Sequence, residues 1–134
     1  MRHRKRVKKL ALPSDQRKAM LRSLATSLFQ HDEIMTTMPR AKVLRAQADK
    51  IVGLAKRGDV HAIRQISKLI YRVETGEVFT AGKKNKELAE TVLRRIVATV
   101  GPRFKNKTSG YTRVIPAPPR RGDATPMALV QLVD

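Results

Sequence analysis

The side chains with chemistry to offer are overwhelmingly cationic. Residues 2 to 9 hold Arg2, Arg4, Lys5, Arg6, Lys8 and Lys9, with His3 among them and no acid. Residues 103 to 121 hold Arg103, Lys105, Lys107, Arg113, Arg120 and Arg121, again with no acid. A guanidinium presents a planar fork of donors that matches phosphate oxygens in pairs, whereas an ammonium is an adaptable point charge on a long stem. A segment carrying both can follow a folded polyanion. The whole chain has 29 lysines and arginines against 11 acids, a formal charge of +18. Such an excess repels itself until a polyanionic partner neutralises it. One basic run reads equally well as a solvated face. Two acid-free runs on top of the overall excess favour nucleic acid.

Other chemistries find little material. Asp32 and Glu33 are adjacent, so on a strand they point to opposite faces, and His31 diverges from Asp32 for the same reason. The stretch GEVFTAGKK, Gly76 to Lys84, has the look of a phosphate loop, but five residues separate its glycines and lysine stands where serine or threonine must follow Gly-Lys. Arg121-Gly122-Asp123, set after prolines, is turn chemistry. There is no cysteine, and His3, His31 and His61 lie far apart, so no disulfide, metal site or cofactor is expected. No small-molecule substrate or enzymatic activity is expected either. No apolar run approaches the roughly 20 residues of a membrane-spanning helix. The opening charges are followed only by Leu10-Ala11-Leu12 before Pro13, short of a secretory h-region and without the apolar face that lipid insertion needs.

These cations need a scaffold, and 134 residues with 41% hydrophobic and 30% charged suffice for one core. The expected layout is a basic extended arm over residues 1 to 12 and a single globular α+β domain over 13 to 134. Pro13-Ser14-Asp15 opens a first helix to about Gln30, with Ser14 as N-cap and Leu21, Leu24, Ala25, Leu28 and Phe29 inward. Asp32 to Thr37 reads as a short strand. Met38-Pro39 begins a second helix that Gly58 ends, with Ala41, Leu44, Ala48, Ile51, Val52 and Ala55 on one face. Asp59 caps a third through about Ile70, with Val60, Ile63 and Ile66 on its apolar face. Glu74 to Lys86 reads as a mobile loop, and Glu87 to Val100 as a fourth helix stopped by Gly101-Pro102. Tyr111 to Ile115 and Met127 to Val133 form a late antiparallel pair that the early strand joins. The class is α+β: about four helices packed on a small mixed three-stranded sheet.

Aromatic residues make up only 4%, so recognition should rest on backbone and shape; Tyr111, beside the basic loop, is either a base stacker or a core tyrosine. No helix pair combines compact helix-turn-helix spacing with a base-reading face. Folded RNA is the expected partner, with a nucleoid-like DNA-binding protein as the alternative.

The opening MRHRK, the helix QRKAMLRSLATSL, the join MTTMPRAKVLR, then GPRF, GYTRV, RRGD and PMALVQLV resemble, in this order, the bacterial-type large-subunit ribosomal protein family numbered seventeen. The resemblance covers most of the chain. It implies a non-enzymatic constituent of the large subunit that binds large-subunit ribosomal RNA near the polypeptide exit, beside other ribosomal proteins. It also implies a compact α+β fold with a basic extension. On the matching positions, Arg2, His3, Arg4 and Lys5 resemble the family opening, and Arg17, Arg22, Thr36, Thr37, Lys42 and Arg45 its first helix and join. Arg103, Gly110, Tyr111, Thr112, Arg113, Arg121, Gly122 and Asp123 resemble its C-terminal half. With Arg6, Lys8, Lys9, Lys18, Arg40, Lys105, Lys107 and Arg120, these cations, His3, Thr36, Thr37 and Tyr111 form the expected RNA-binding set. Ala11 to Gln16 is similar to cyanobacterial or plastid-type members, so a plastid ribosome stands as the alternative to a cytoplasmic one.

Overall fold

The computed structural model describes residues 9–81 and 86–133. Lys9 to Leu12 form a tight turn closed by the Leu12 amide on the Lys9 carbonyl, so this part of the expected extended arm is compact. Helix α1, Ser14–His31, starts from Pro13, whose carbonyl accepts the Arg17 amide at 2.9 Å. Ser14 is thus the first helical residue, not the cap, and its hydroxyl turns to Asp15 instead. The far end stops where Asp32 turns left-handed at φ 63°. Arg95 holds that end, donating to the Gln30 carbonyl and to Asp32 Oδ2, both at 2.6 Å.

Strand β1, Glu33–Thr37, runs directly into α2, Met38–Arg57. Pro39 sits in the first turn of α2, where its missing N–H leaves no bond unmade. Gly58 ends the helix at φ 66° and returns its amide to the Leu54 carbonyl, as its position in the sequence predicts. Helix α3, Val60–Leu69, begins after Asp59, which has the cap position but spends its carboxylate on Arg57 at 3.3 Å. Val60 is 64% exposed, and Ala62 takes its expected place in the core.

The largest departure lies between residues 74 and 91. The expected loop is an antiparallel pair, β2 (Glu74–Ala81) and β3 (Lys86–Thr91), with an irregularity between Glu74 and Val78. Glycine and charge hide a strand period here that Thr75, Val78 and Phe79 alone signal weakly. Helix α4 consequently starts late, at Val92, capped by Thr91 Oγ1 accepting the Arg94 amide.

Gly101-Pro102 does not stop α4. After Val92–Arg95 the helix widens into a π turn over Ile96–Val100 and ends in a last turn, Gly101–Arg103. A proline inside a helix lacks a donor and crowds the carbonyl four residues back, and a wider turn relieves that crowding. Gly101 is helical, with φ −56°, so its role is proximity: a Cβ there would lie 2.8 Å from the Ala55 carbonyl oxygen of α2.

Strands β4, Thr112–Ala117, and β5, Met127–Leu132, pair antiparallel, and β1 joins the other edge of β5. Both pairings are antiparallel, so the three-stranded sheet is not mixed: β1 and β4 each reverse direction against the central strand. Pro116 is tolerated because β4 is an edge. One sheet face, through Ala128, Val130 and Leu132, packs on Phe29, Leu44, Ile51, Ile96 and Phe104 in a single core. The opposite face carries Met35, Leu129 and Ile115 in one cross-strand row and Glu33, Gln131 and Arg113 in another.

Candidate nucleic-acid interface

Helix α2 supplies the first group of cations. Lys42 and Arg45 lie three apart, so they share a face with Met38, and that face meets the edge of β4. With Val114 and Pro116 they line an open groove of about 480 Å³. The groove is anchored one turn further on, where Thr112 Oγ1 donates to Asp49 Oδ1 at 2.9 Å. Arg45 approaches Asp49 only to 4.0 Å, while Lys42 and Arg40 have no carboxylate within ion-pair distance among the described residues. Thr37, half-buried, precedes the helix.

The loop between β4 and β5 supplies the second group. Arg120 donates through Nε and Nη2 to both oxygens of Asp123, the shorter bond 2.6 Å. Thr125 adds its hydroxyl and amide to the same carboxylate. Arg120, and after it Thr125, hold the Asp123 carboxyl well below the usual carboxylate range. Arg120 is therefore turn-forming, and Arg121 is the exposed cation the turn presents. This also disposes of the Arg-Gly-Asp tripeptide as a free motif, since both oxygens of its carboxylate are engaged internally.

The basic loop after α4 is built on a buried pair of rings. Phe104 and Tyr111 meet edge to face at 5.4 Å, and Tyr111 is 6% exposed. Its hydroxyl donates to the Thr108 carbonyl and accepts from Lys56 Nζ. Tyr111 is a core residue, not a base stacker. Lys105 projects outward, Lys107 lies half-buried near the Phe104 ring, and Arg103 donates to the Val133 carbonyl while remaining exposed. Arg113 stands exposed on the outer sheet face.

Residues 20–133 of the chain match the family of ribosomal protein L17. The chain belongs to the ribosomal protein L17 family. The large ribosomal subunit protein bL17 of Syntrophobacter fumaroxidans is 41% identical over 133 residues, which cover 99% of this chain and 77% of that protein. That of Streptococcus pneumoniae strain Hungary19A-6 is 40% identical over 126 residues, 94% of this chain and 98% of the relative. Streptococcus equi subsp. zooepidemicus strain H70 has one with the same identity and coverage. This L17 family member is accordingly a structural constituent of the large ribosomal subunit and not an enzyme.

Within this family member the fold divides the expected set. Arg2, His3, Arg4, Lys5, Arg6 and Lys8 lie outside the described residues. Thr36 is 6% exposed and faces the core, so it offers little surface to a ligand. Arg22 is committed to the end of α3, donating to the Ile70 carbonyl through Nε and Nη2 and to the Ser67 carbonyl. Lys9 and Lys18 are exposed, and Arg17 is half-buried on α1. The exposed cations Lys50, Arg64, Lys68 and Arg72 escaped the sequence reading. Arg64 and Lys68, four apart on α3, carried a usable signal, since that spacing puts two like charges on one helix face with no acid to balance them. Among the described residues no cluster of His, Cys, Asp or Glu could hold a metal ion, and no helix is long and apolar enough to cross a membrane.

Proposed function

We propose that this L17 family member binds and stabilises large-subunit ribosomal RNA by neutralising clustered phosphates. The observation that carries this reading is the α2–β4 groove, where Lys42 and Arg45, both exposed, share one helix face. The acid-free opening stretch and the exposed Arg113 and Arg121 extend the same chemistry. Family membership supports a position near the polypeptide exit, and the bacterial relatives support a cytoplasmic ribosome. The outer sheet face supports the other class of neighbour, a ribosomal protein. Its Met35 is 62% and Ile115 37% exposed, and the flanking row sets Glu33 and Arg113 on either side of Gln131 instead of accumulating positive charge.

The test is binding of the full chain to large-subunit ribosomal RNA across a salt series, with duplex DNA as competitor. Each neutralised phosphate contributes about 0.7 to 0.9 to the slope of log affinity against log salt. Lys42→Ala with Arg45→Ala should flatten that slope by about 1.4 to 1.8. An unchanged slope removes the groove from the interface, and a preference for duplex DNA overturns the assignment to RNA.

A further inference from the structure

Among the described side chains, one aromatic ring stands outside the core beside a fixed cation. Tyr71, just after α3, is 37% exposed, and the Arg22 guanidinium lies over its ring, 4.4 Å from the centroid. Both partners are held. The Ile70 and Ser67 carbonyls fix the guanidinium, and the Tyr71 amide donates at 2.9 Å to Thr26 Oγ1, which itself donates to the Arg22 carbonyl at 2.8 Å. Thr26 is 5% exposed, so this network ties the ring's backbone to α1 below the surface. Beside the ring opens a cavity of about 320 Å³, bounded by Arg22, Tyr71 and Arg72 on one side and by Thr91 and Leu93 at the start of α4 on the other.

A pre-positioned ring with a guanidinium on one face, an apolar wall and a second arginine at the mouth is the chemistry that receives a splayed-out base. We propose that this cavity takes an unpaired nucleobase of the bound RNA, stacked on the Tyr71–Arg22 pair, with Arg72 on the adjoining phosphate. The inference rests on the RNA-binding reading above, but its residues are distinct from the α2–β4 groove and from both basic segments. Ser67 Oγ donates to the Arg64 carbonyl and Thr91 Oγ1 accepts the Arg94 amide. The recognition proposed is stacking, which every base can supply.

The experiment compares binding of the full chain to a ten-nucleotide oligoadenylate and to an abasic ribose-phosphate chain of equal length at one salt concentration. Wild type should prefer the oligoadenylate by about 5- to 150-fold, the effect of stacking one base. Tyr71→Phe should keep that preference and Tyr71→Ala should lose it while retaining affinity for the abasic chain. If Tyr71→Ala discriminates as well as wild type, or if wild type binds both chains equally, the stacking site is overturned while RNA binding stands. If neither chain binds in a salt-dependent way, the RNA-binding reading itself fails. Should Tyr71→Ala not fold, tyrosine emission of the wild type decides. Tyr111 is buried and the chain has no tryptophan, so quenching by oligoadenylate but not by the abasic chain reports Tyr71. Equal quenching by both, or none, contradicts the proposal.

Discussion

Arginine performs two opposed duties in this chain. Arg95, with a side chain only 19% exposed, closes the end of α1 through the Gln30 carbonyl and Asp32, bridging segments more than sixty residues apart in sequence. Removing it leaves a half-buried carbonyl and a carboxylate without their donor. Arg95→Ala should destabilise the fold by about 1.5–3 kcal/mol, read as a lower denaturant midpoint at unchanged slope. Arg121, exposed and outside the hydrogen bonds that close the turn, should tolerate alanine with no shift in that midpoint. Between them stands Arg120, whose fork keeps Asp123 ionised. Because the folded carboxyl titrates below its unfolded value of about 3.9, the order it lends the turn is complete above that value and fades only as pH falls through the depressed one. The Thr125 amide resonance should hold its position between pH 7 and pH 4 and move only in stronger acid. A transition centred near pH 4 would mean that the carboxylate is unpaired. Composition alone could not sort these three arginines, since their difference lies in carbonyls and carboxylates brought near by tertiary structure.

At the scale of elements, the helices were legible wherever a 3.6-residue apolar period coincided with a punctuating residue. Helix α2 is the clear instance: Pro39, the stripe from Ala41 to Ala55 and Gly58 all point to one helix. The failures share a cause, namely that a local signal had a tertiary purpose. Gly101 reads as a stop by type, yet it is there because α4 crosses the Ala55 carbonyl too closely for a side chain. Gly101→Ala should cost about 1–3 kcal/mol through overpacking, measured by chemical denaturation. A neutral result would show that the two helices separate freely. The β2–β3 pair was illegible because its glycine and charged residues match loop composition, and only pairing of each strand with its immediate neighbour gives them their form. The outer face of the three-stranded sheet makes a separate prediction. Met35→Lys, at an exposed position, should leave the fold and RNA affinity intact while weakening incorporation into large subunits if a protein neighbour covers that face.

For the whole molecule, the family and fold class were readable because seven short stretches occur in one order and because the apolar pattern fits one core. The candidate interface was readable only in part. Spacing placed Lys42 and Arg45 together, but nothing in the sequence shows that Thr36 and Tyr111 turn inward, that Arg22 is fixed by the end of α3, or that the Tyr71 ring is exposed. A chain carrying +18 must present its cations outward, and the fold arranges those of the described residues around a neutral core without consuming the groove. Deleting residues 2 to 9 should leave the denaturation midpoint of the domain unchanged and weaken its incorporation into large subunits, since that stretch has little apolar material to contribute to a core.

The central claim, RNA binding by neutralised phosphates, is tested most directly by the salt dependence of affinity for large-subunit ribosomal RNA, measured on the full chain and on the Lys42→Ala, Arg45→Ala double variant. A steep linear fall of log affinity with log salt, shallower by about 1.4 to 1.8 in the variant, is the predicted result. An affinity indifferent to salt, or a slope the variant leaves unchanged, would contradict it.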